Sequence, residues 1–266
     1  MAAYFKGKVC WITGASSGIG EALAVALAKQ GACLVLSARR ESLLLELSLK
    51  CPGAEKIKIL PFDLIDIHLF DNMTQEVINS FGKVDFLFNN GGISQRSLVS
   101  ETPLEIDRRI MEINYFSNIA LAKAVLPYML KNNNGHIIAM SSLSGKLGFF
   151  YRSAYSASKH ALHGFYEALR LENMEHGIRV TLVCPGYIKT NISLNALNAS
   201  GEKHGIMDQN QASGMSANKC AALILKGVQQ QKMELLIGGK ERIPVFLKRF
   251  LPVIFYWLMP RLKPAK

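Results

Sequence analysis

Short apolar runs alternate with longer amphipathic segments along most of the chain. The apolar runs are rich in Val, Ile, Leu and Phe and mostly continuous, as expected for strands that are covered on both faces. They predict seven strands, at residues 9–13, 33–37, 56–61, 85–88, 136–141, 179–184 and 235–237. Helical periodicity predicts six helices between them, at residues 20–30, 41–49, 66–81, 114–130, 154–176 and 216–230.

Strands that alternate with helices predict right-handed βαβ crossovers, because parallel neighbours need a long connection. The expected fold class is α/β, a single doubly wound parallel sheet of the Rossmann type with helices on both faces. We expect this domain over residues 1–240 and an apolar, basic-flanked tail over residues 241–266. The polar stretch 191–214 follows a strand end, and we interpret it as a substrate lid or as an ordinary surface loop.

The composition is that of a globular chain with a large core, since 49% of the residues are hydrophobic and 19% are charged. Five scattered cysteines without a CxxC pair predict thiols in a reducing compartment, and the histidines have no metal-ligand spacing, so we expect no metal. The absence of a signal-peptide pattern predicts a cytoplasmic protein. The net charge is +11, but the body of the chain has no dense basic block, so we expect no nucleic-acid partner.

A glycine-rich turn over residues 13–20 joins the first predicted strand to the first predicted helix. Glycines permit a tight turn and the close approach of a pyrophosphate, and a helix N-terminus attracts this anion with free N–H groups. Because the motif lies in the strand–turn–helix context that it requires, the sequence predicts a dinucleotide site. The residues expected to bind are Gly14, Ser16, Ser17, Gly18, Ile19 and Gly20.

Two arginines, Arg39 and Arg40, follow the second predicted strand, where an NAD site has an acidic residue for the ribose hydroxyl. A guanidinium there can pair with a 2′-phosphate, which favours NADP(H). The alternative interpretation is a solvated arginine pair beside the next helix. Turns after the third and fourth strands are also expected to face the cofactor, with Asp63, Leu64, Asn90, Gly91 and Gly92.

Three residues in the second half of the chain suggest proton-transfer chemistry. Ser142 ends a strand, and Tyr155 and Lys159 lie four positions apart on one face of a helix. A phenol with its ordinary pKa of about 10 is a poor acid–base group at neutral pH, and a neighbouring ammonium lowers that pKa. The spacing of the tyrosine and lysine alone is more often that of a pair on a helix surface.

Together these features resemble the short-chain dehydrogenase/reductase family over about residues 6–240. The matching motifs, in order and at family spacing, are Thr13-Gly14-x-x-x-Gly18-Ile19-Gly20, Asn89-Asn90-Gly91-Gly92, Asn114, Ser142, Tyr155-x-x-x-Lys159 and Pro185-Gly186. The family usually has alanine in place of Gly91, and we expect this departure to change local rigidity but not to remove binding.

The resemblance implies Tyr155 as the general acid/base, Ser142 as the group that orients the carbonyl, and Lys159 as the residue that lowers the tyrosine pKa and binds the nicotinamide ribose. It also implies a water-mediated proton relay supported by Asn114. Asp63 and Leu64 would contact the adenine. The residues that would contact the nicotinamide end are Pro185, Gly186, Ile188 and Thr190.

An apolar, aromatic tail continues beyond residue 240, where the family core ends. Its uncharged part, 250–260, is too short to span a bilayer as a helix, and prolines divide the tail into short pieces. Bulky apolar side chains between basic residues predict a peripheral membrane contact. The alternatives are a subunit interface, in a homodimer or homotetramer, and a flap over the substrate pocket. The basic residues are Lys240, Arg242, Lys248, Arg249, Arg261, Lys263 and Lys266.

The sequence therefore predicts an NADP(H)-dependent oxidoreductase that reduces a carbonyl, or oxidises a secondary alcohol, on a lipophilic substrate. The branch it resembles in tail and cofactor signature includes steroid, retinoid and acyl-dihydroxyacetone-phosphate reductases. A sugar-nucleotide epimerase would usually have a longer C-terminal substrate domain. A non-catalytic dinucleotide-binding regulator would have lost some of the four catalytic groups, which are all present here. An enzyme is therefore favoured over a regulator.

Overall fold

A seven-stranded parallel sheet forms the centre of residues 4–262, which are the residues described by the computed structural model. The strands along the chain are β1 (Val9–Thr13), β2 (Cys33–Ser37), β3 (Lys56–Ile59), β4 (Phe86–Asn89), β5 (Gly135–Met140), β6 (Ile178–Pro185), β7 (Ile188–Lys189), β8 (Met215–Ser216) and β9 (Glu234–Ile237). The order in the sheet is β3-β2-β1-β4-β5-β6-β9, and β7 pairs separately with β8. The predicted fold class is confirmed.

Helices cover both faces of this sheet. They are α1 (Gly18–Ala28), α2 (Glu41–Leu49), α3 (Phe70–Phe81), α4 (Leu104–Met111), α5 (Ser117–Lys131), α6 (Ser153–Asn173), α7 (Gln209–Ala212), α8 (Ala217–Gln229), α9 (Ile243–Phe250) and α10 (Pro252–Leu258). A π-helical turn, Glu112–Phe116, joins α4 to α5. Short 3-10 turns are Ile67–Leu69, Val99–Glu101, Leu143–Gly145, Met174–His176, Lys240–Arg242 and Met259–Leu262.

Successive residues of β1 belong to two different apolar layers, because side chains alternate across a strand. Cys10 and Ile12 pack in the layer that contains α1, α2 and α8, whereas Val9 and Trp11 pack in the layer with α3, α5 and α6. Both layers consist of buried hydrophobic residues packed against the sheet. This packing leaves the carboxyl ends of the strands as the exposed rim on which a ligand can bind.

Two helices, and the short strand pair β7 and β8, were not predicted from the sequence. Helix α4 was not predicted, because half of its residues are charged and only Ile106 and Ile110 are buried. The stretch 191–214 was predicted as irregular but contains α7, which Asp208 caps by accepting a hydrogen bond from the N–H of Asn210. In both cases the apolar repeat is too short to identify a helix from sequence.

The C-terminal segment folds into the two short helices α9 and α10, each with a proline in its first turn. On its inner side, Phe255 and Met259 pack against Leu147 in a small apolar cluster. Among residues 4–262, none of the helices combines the length and apolar character that crossing a bilayer demands. Lys263 and Lys266 of the predicted basic flank lie outside the described residues.

Candidate active site

A cavity of about 1170 Å³ opens at the carboxyl ends of β1, β4, β5 and β6. It is lined by every residue that the sequence assigned to the cofactor or to catalysis, except Gly20 and Asn114. Those two residues lie directly behind the lining. Convergence of motifs from distant parts of the chain on one cavity is what a shared cofactor and substrate site requires.

The glycine-rich turn fits a dinucleotide because side chains would fill its space. Gly14 and Gly18 have left-handed backbone conformations, with φ of 62° and 60°. A Cβ on Gly20 would lie 2.2 Å from the carbonyl oxygen of Gly14. Ser17 precedes α1 without capping it through its side chain, so the helix N-terminus remains available to an anion. The turn can therefore receive a pyrophosphate against backbone N–H groups.

Hydrogen bonds join this turn to the loop after β4. The hydroxyl of Thr13 accepts from the N–H groups of Asn90 and Gly91, each at 3.0 Å. The side-chain amide of Asn90 donates back to the carbonyl of Thr13 at 3.0 Å. A Cβ on Gly91 would lie 2.6 Å from Cδ1 of Leu64, so the leucine occupies the space that an alanine methyl would need. The effect of Gly91 on rigidity stays a prediction.

Arg39 and Arg40, which are predicted to favour NADP(H) over NAD(H), line the cavity beyond the end of β2. Arg39 is 68% exposed and its guanidinium lies 3.8 Å from the carboxylate of Asp63. A pair this exposed contributes little to folding. The guanidinium can therefore turn to an incoming phosphate at low cost.

Tyr155 and Lys159 are both buried on the face of α6 that borders the cavity, with the Lys159 Nζ 5.8 Å from the tyrosine ring centroid. Burial raises the pKa of Tyr155, and a hydrogen bond from Ser142 and the positive charge of Arg152 oppose this rise. Burial lowers the pKa of Lys159 to about 8. Its ammonium donates to the carbonyl of Met140 at 2.7 Å. The expected effect of Lys159 on the tyrosine stays a prediction.

Asn114 lies in the π-helical turn, fully buried behind the cavity. Its side chain accepts from the N–H of Ile93 at 2.8 Å and donates to the hydroxyl of Ser158 at 3.0 Å. A Cβ on Gly92 would lie 2.9 Å from the Asn114 Oδ1 and 3.6 Å from the Lys159 Nζ. The predicted relay residues Asn114 and Lys159 are therefore neighbours, and their role in proton transfer stays a prediction.

The adjacent residues Ser141 and Ser142 point to different surroundings, because successive side chains at the end of a strand face opposite sides. Ser142 faces the cavity, where its hydroxyl accepts from the N–H of Ser144 at 3.1 Å. Ser141 points under α6, donates to the carbonyl of Lys159 at 3.1 Å and is hydrogen-bonded to Nε2 of His163 at 2.9 Å. Ser141 and His163 thus hold α6 against the end of β5.

Acidification is expected to destabilise the protein through His163. Burial lowers its pKa to about 4, below its ordinary value in an unfolded chain, so the unfolded state takes up the proton first. Stability is therefore lost as the pH falls through 6.5 toward 4, and this histidine accounts for about 2 kcal/mol at pH 5. Urea unfolding of the wild type and of His163→Gln at pH 7 and pH 5 measures the difference.

The second buried histidine, His136, has a pKa lowered by burial to about 3 and is present in both proteins, so their difference isolates His163. Equal losses of stability on acidification in the wild type and the variant would contradict the assignment.

A partly buried ionic cluster at the far end of the cavity from the glycine-rich turn was not predicted. Asp208, from the stretch 191–214, pairs with the guanidinium of Arg96 and lies 3.3 Å from that of Arg152. The cluster ties this stretch to the start of α6, three residues before Tyr155. The stretch also lines the cavity, which is the position that the lid interpretation requires. No spacing rule connects residues so far apart in sequence.

Comparisons with known proteins agree with this geometry. A sequence model of the family described as short chain dehydrogenase matches residues 8–200. Dehydrogenase/reductase SDR family member 7B of Xenopus laevis is 40% identical over 265 aligned positions, covering 97% of this chain and 82% of that protein. Dehydrogenase/reductase SDR family protein 7-like of Anopheles gambiae is 41% identical over 268 positions, covering 98% and 84%.

Solved structures show the same similarity. A short-chain dehydrogenase from Streptomyces avermitilis has a TM-score of 0.81 at 29% identity, covering 95% of this chain and 96% of that chain. NAD+-bound xylitol dehydrogenase has a TM-score of 0.77 at 25% identity, covering 89% and 99%. The sequence motifs, the sheet order and these relatives lead to one conclusion. The chain belongs to the short-chain dehydrogenase/reductase family of oxidoreductases.

Proposed function

We propose that this oxidoreductase uses NADP(H) to reduce a carbonyl, or to oxidise a secondary alcohol, on a lipophilic substrate. The observation that carries the proposal is that Ser142, Tyr155 and Lys159 line the same cavity as the glycine-rich turn. Family membership implies a nicotinamide dinucleotide. When bound, that cofactor supplies or accepts the hydride.

The protein's own side chains transfer the proton and orient the substrate. The Ser142 hydroxyl orients the carbonyl oxygen, and the Tyr155 phenol donates its proton to that oxygen as negative charge develops. Lys159 binds the ribose on the nicotinamide side and stabilises the phenolate that remains. Asn114 supports the water chain through which the tyrosine is reprotonated. Alcohol oxidation uses the same groups in reverse.

A lipophilic substrate is supported by the walls beyond Tyr155. Apolar side chains contribute to these walls from the loop after β5, the stretch 191–214 and the C-terminal segment. They include Leu143, Leu147, Phe149, Leu197 and Met259. Burial of an apolar substrate surface here gains about 25 cal/mol for each Å² removed from water.

Among the described residues, Arg96 and Arg152 share the carboxylate of Asp208 as their acidic partner, which leaves one positive charge in excess beside this apolar wall. The Nε of Arg152 is buried and has no hydrogen-bond partner among the described residues. A substrate with a polar or anionic end can bind this guanidinium, so the test of function includes a charged and an uncharged form of one carbonyl compound.

The experiment that tests the proposal is a panel of lipophilic ketones and aldehydes offered with NADPH to the full chain. The panel contains a medium-chain keto acid and its methyl ester. We expect NADPH oxidation with at least one lipophilic carbonyl and none with a sugar nucleotide. Tight NADPH binding without oxidation by any carbonyl would favour the regulator instead.

Cofactor preference is expected to depend on Arg39 and Arg40. Replacing both by alanine should weaken NADPH at least about tenfold more than NADH, because a charge-assisted phosphate contact is worth about 1.5–3 kcal/mol. Fluorescence titration with each cofactor measures the two dissociation constants. The matched control replaces Arg108 and Lys131, two exposed basic residues away from the cavity, by alanine. If the variant loses the same factor of affinity for NADPH and for NADH, the arginine pair does not bind the 2′-phosphate.

We also propose that the C-terminal segment makes a peripheral membrane contact. Its outer side exposes large apolar residues, including Phe250, Val253 and Trp257. Arg249 and Arg261 are exposed beside them and can meet lipid phosphates, whereas Lys248 donates to the carbonyl of Lys146 at 3.2 Å. Lys248 therefore supports the packing of the segment on the loop after Ser142. A lipophilic substrate would then reach the cavity from the adjoining lipid surface.

A further inference from the structure

The first turn of the C-terminal segment reaches back into the cofactor end of the cavity. Glu241 lies in the 3-10 turn Lys240–Arg242, between β9 and α9, and its side chain lines the cavity. Its carboxylate accepts a hydrogen bond from the N–H of Tyr187 at 3.3 Å. Tyr187 lies between Gly186 and Ile188, in the loop after β6.

Two glycines leave room for this carboxylate. A Cβ on Gly186 would lie 2.5 Å from the Glu241 Oε1, and a Cβ on Gly238 would lie 2.6 Å from the same oxygen. The N–H of Gly186 donates to the carbonyl of Ile237 at 2.7 Å, which draws the loop onto the end of β9. The loop and the strand end thus enclose one carboxylate, which belongs to none of the family motifs described above.

We propose that Glu241 is a positioning residue for the nicotinamide end of the cofactor. The inference rests on the proposed function, together with the expectation from the family resemblance that Gly186 and Ile188 contact that end. By holding the N–H between them, the carboxylate fixes the backbone of both contacts before the cofactor arrives. A loop that is ordered beforehand loses less entropy on binding, so the cofactor binds more tightly.

The same contact couples the C-terminal segment to the cofactor site. Glu241 stands two residues before α9, whose far end leads into the exposed apolar surface of α10. A displacement of the segment that moves the turn Lys240–Arg242 would therefore act on the loop after β6 through the Glu241 side chain. The packing of the segment on Leu147 and Lys146 is a separate attachment, on the substrate side.

The test measures NADPH affinity of the full chain by fluorescence titration, without substrate, for the wild type and four variants. Glu241→Ala is expected to raise the dissociation constant about tenfold, the loss of one charge-assisted hydrogen bond. Glu241→Gln keeps an acceptor at the same reach and is expected to stay within about threefold of the wild type. Glu241→Asp keeps the charge but is one methylene shorter, and should resemble the alanine variant.

Lys248→Ala is the control, because it loosens the same segment at its other attachment without touching the loop after β6. Its NADPH affinity should equal that of the wild type, while thermal unfolding without cofactor reports how far each variant loosens the fold. If Glu241→Ala fails to fold, the comparison of Glu241→Asp with Glu241→Gln decides the outcome.

Wild-type affinity in the alanine and aspartate variants would overturn the proposal, as would an equal loss in Lys248→Ala. If the wild-type chain itself binds neither NADPH nor NADH, the proposed function fails and the role of Glu241 fails with it. Failure of Glu241 alone is recognised by a wild type that binds NADPH and variants that bind it equally well.

Discussion

Tyr155→Phe is expected to lower turnover by about a thousandfold, within the range for loss of a general acid. The substitution removes one hydroxyl and keeps the buried ring that packs beside Lys159. NADPH affinity should therefore change little, since in the proposed function the glycine-rich turn and Lys159 hold the cofactor. Steady-state kinetics with the best carbonyl of the panel, together with NADPH titration, separate the two effects.

Tyr128→Phe is the matched control for this substitution, because its hydroxyl is exposed and bonds to Gln75 far from the cavity. It should retain wild-type turnover. If the Tyr155 variant turns over as fast as this control, Tyr155 is not the general acid. The proposed assignment of the active site would then be wrong.

The sheet was predictable because its strands are buried on both faces. The continuous apolar runs of β1, β2 and β5 left little ambiguity, and their bounds agree with the structure to within a residue. Strand β3 ends earlier than predicted, since its exposed edge position gives a weaker apolar pattern. Helix α4 was beyond prediction, because it contributes only two buried side chains to the core.

The candidate site was largely predictable because its residues lie in short local motifs at strand ends. Two polar contacts could not be predicted from the sequence. They join Asp208 to Arg152, and Glu241 to the N–H of Tyr187. Each joins residues more than fifty positions apart, and neither leaves a periodic or spacing signal in the sequence. Tertiary packing alone brings these partners together.

The acid–base chemistry of the site also required the structure. Charge proximity predicts a lowered pKa for Tyr155, but burial of the phenol acts in the opposite direction and raises it. Burial also lowers the pKa of Lys159 to about 8, so this side chain is increasingly neutral above pH 8. The degree of burial of a helix face is set by the loops packed on it, and sequence spacing does not report it.

The C-terminal segment is expected to bind lipid bilayers through its outer side. Phe250, Val253 and Trp257 are 73%, 82% and 59% exposed, so their replacement by serine leaves the inner contacts of Phe255 with Leu147 in place. The triple substitution is preferable to deletion of residues 243–266, because the deletion would also expose the apolar loop after β5. The triple variant should partition into vesicles containing anionic lipid about a hundredfold less than the wild type, because each apolar side chain contributes transfer free energy.

Serine at three other exposed apolar positions, Leu49, Leu171 and Val99, provides the matched control, because these residues lie outside the C-terminal segment. Vesicle sedimentation of this control should equal that of the wild type. Reduction of a bilayer-dissolved ketone should fall in the tail variant, while reduction of a small water-soluble carbonyl persists, since the catalytic residues are untouched. If the triple variant binds vesicles as the wild type does but elutes as a smaller particle in size-exclusion chromatography, the exposed side is a subunit interface. The proposed membrane contact would then be wrong.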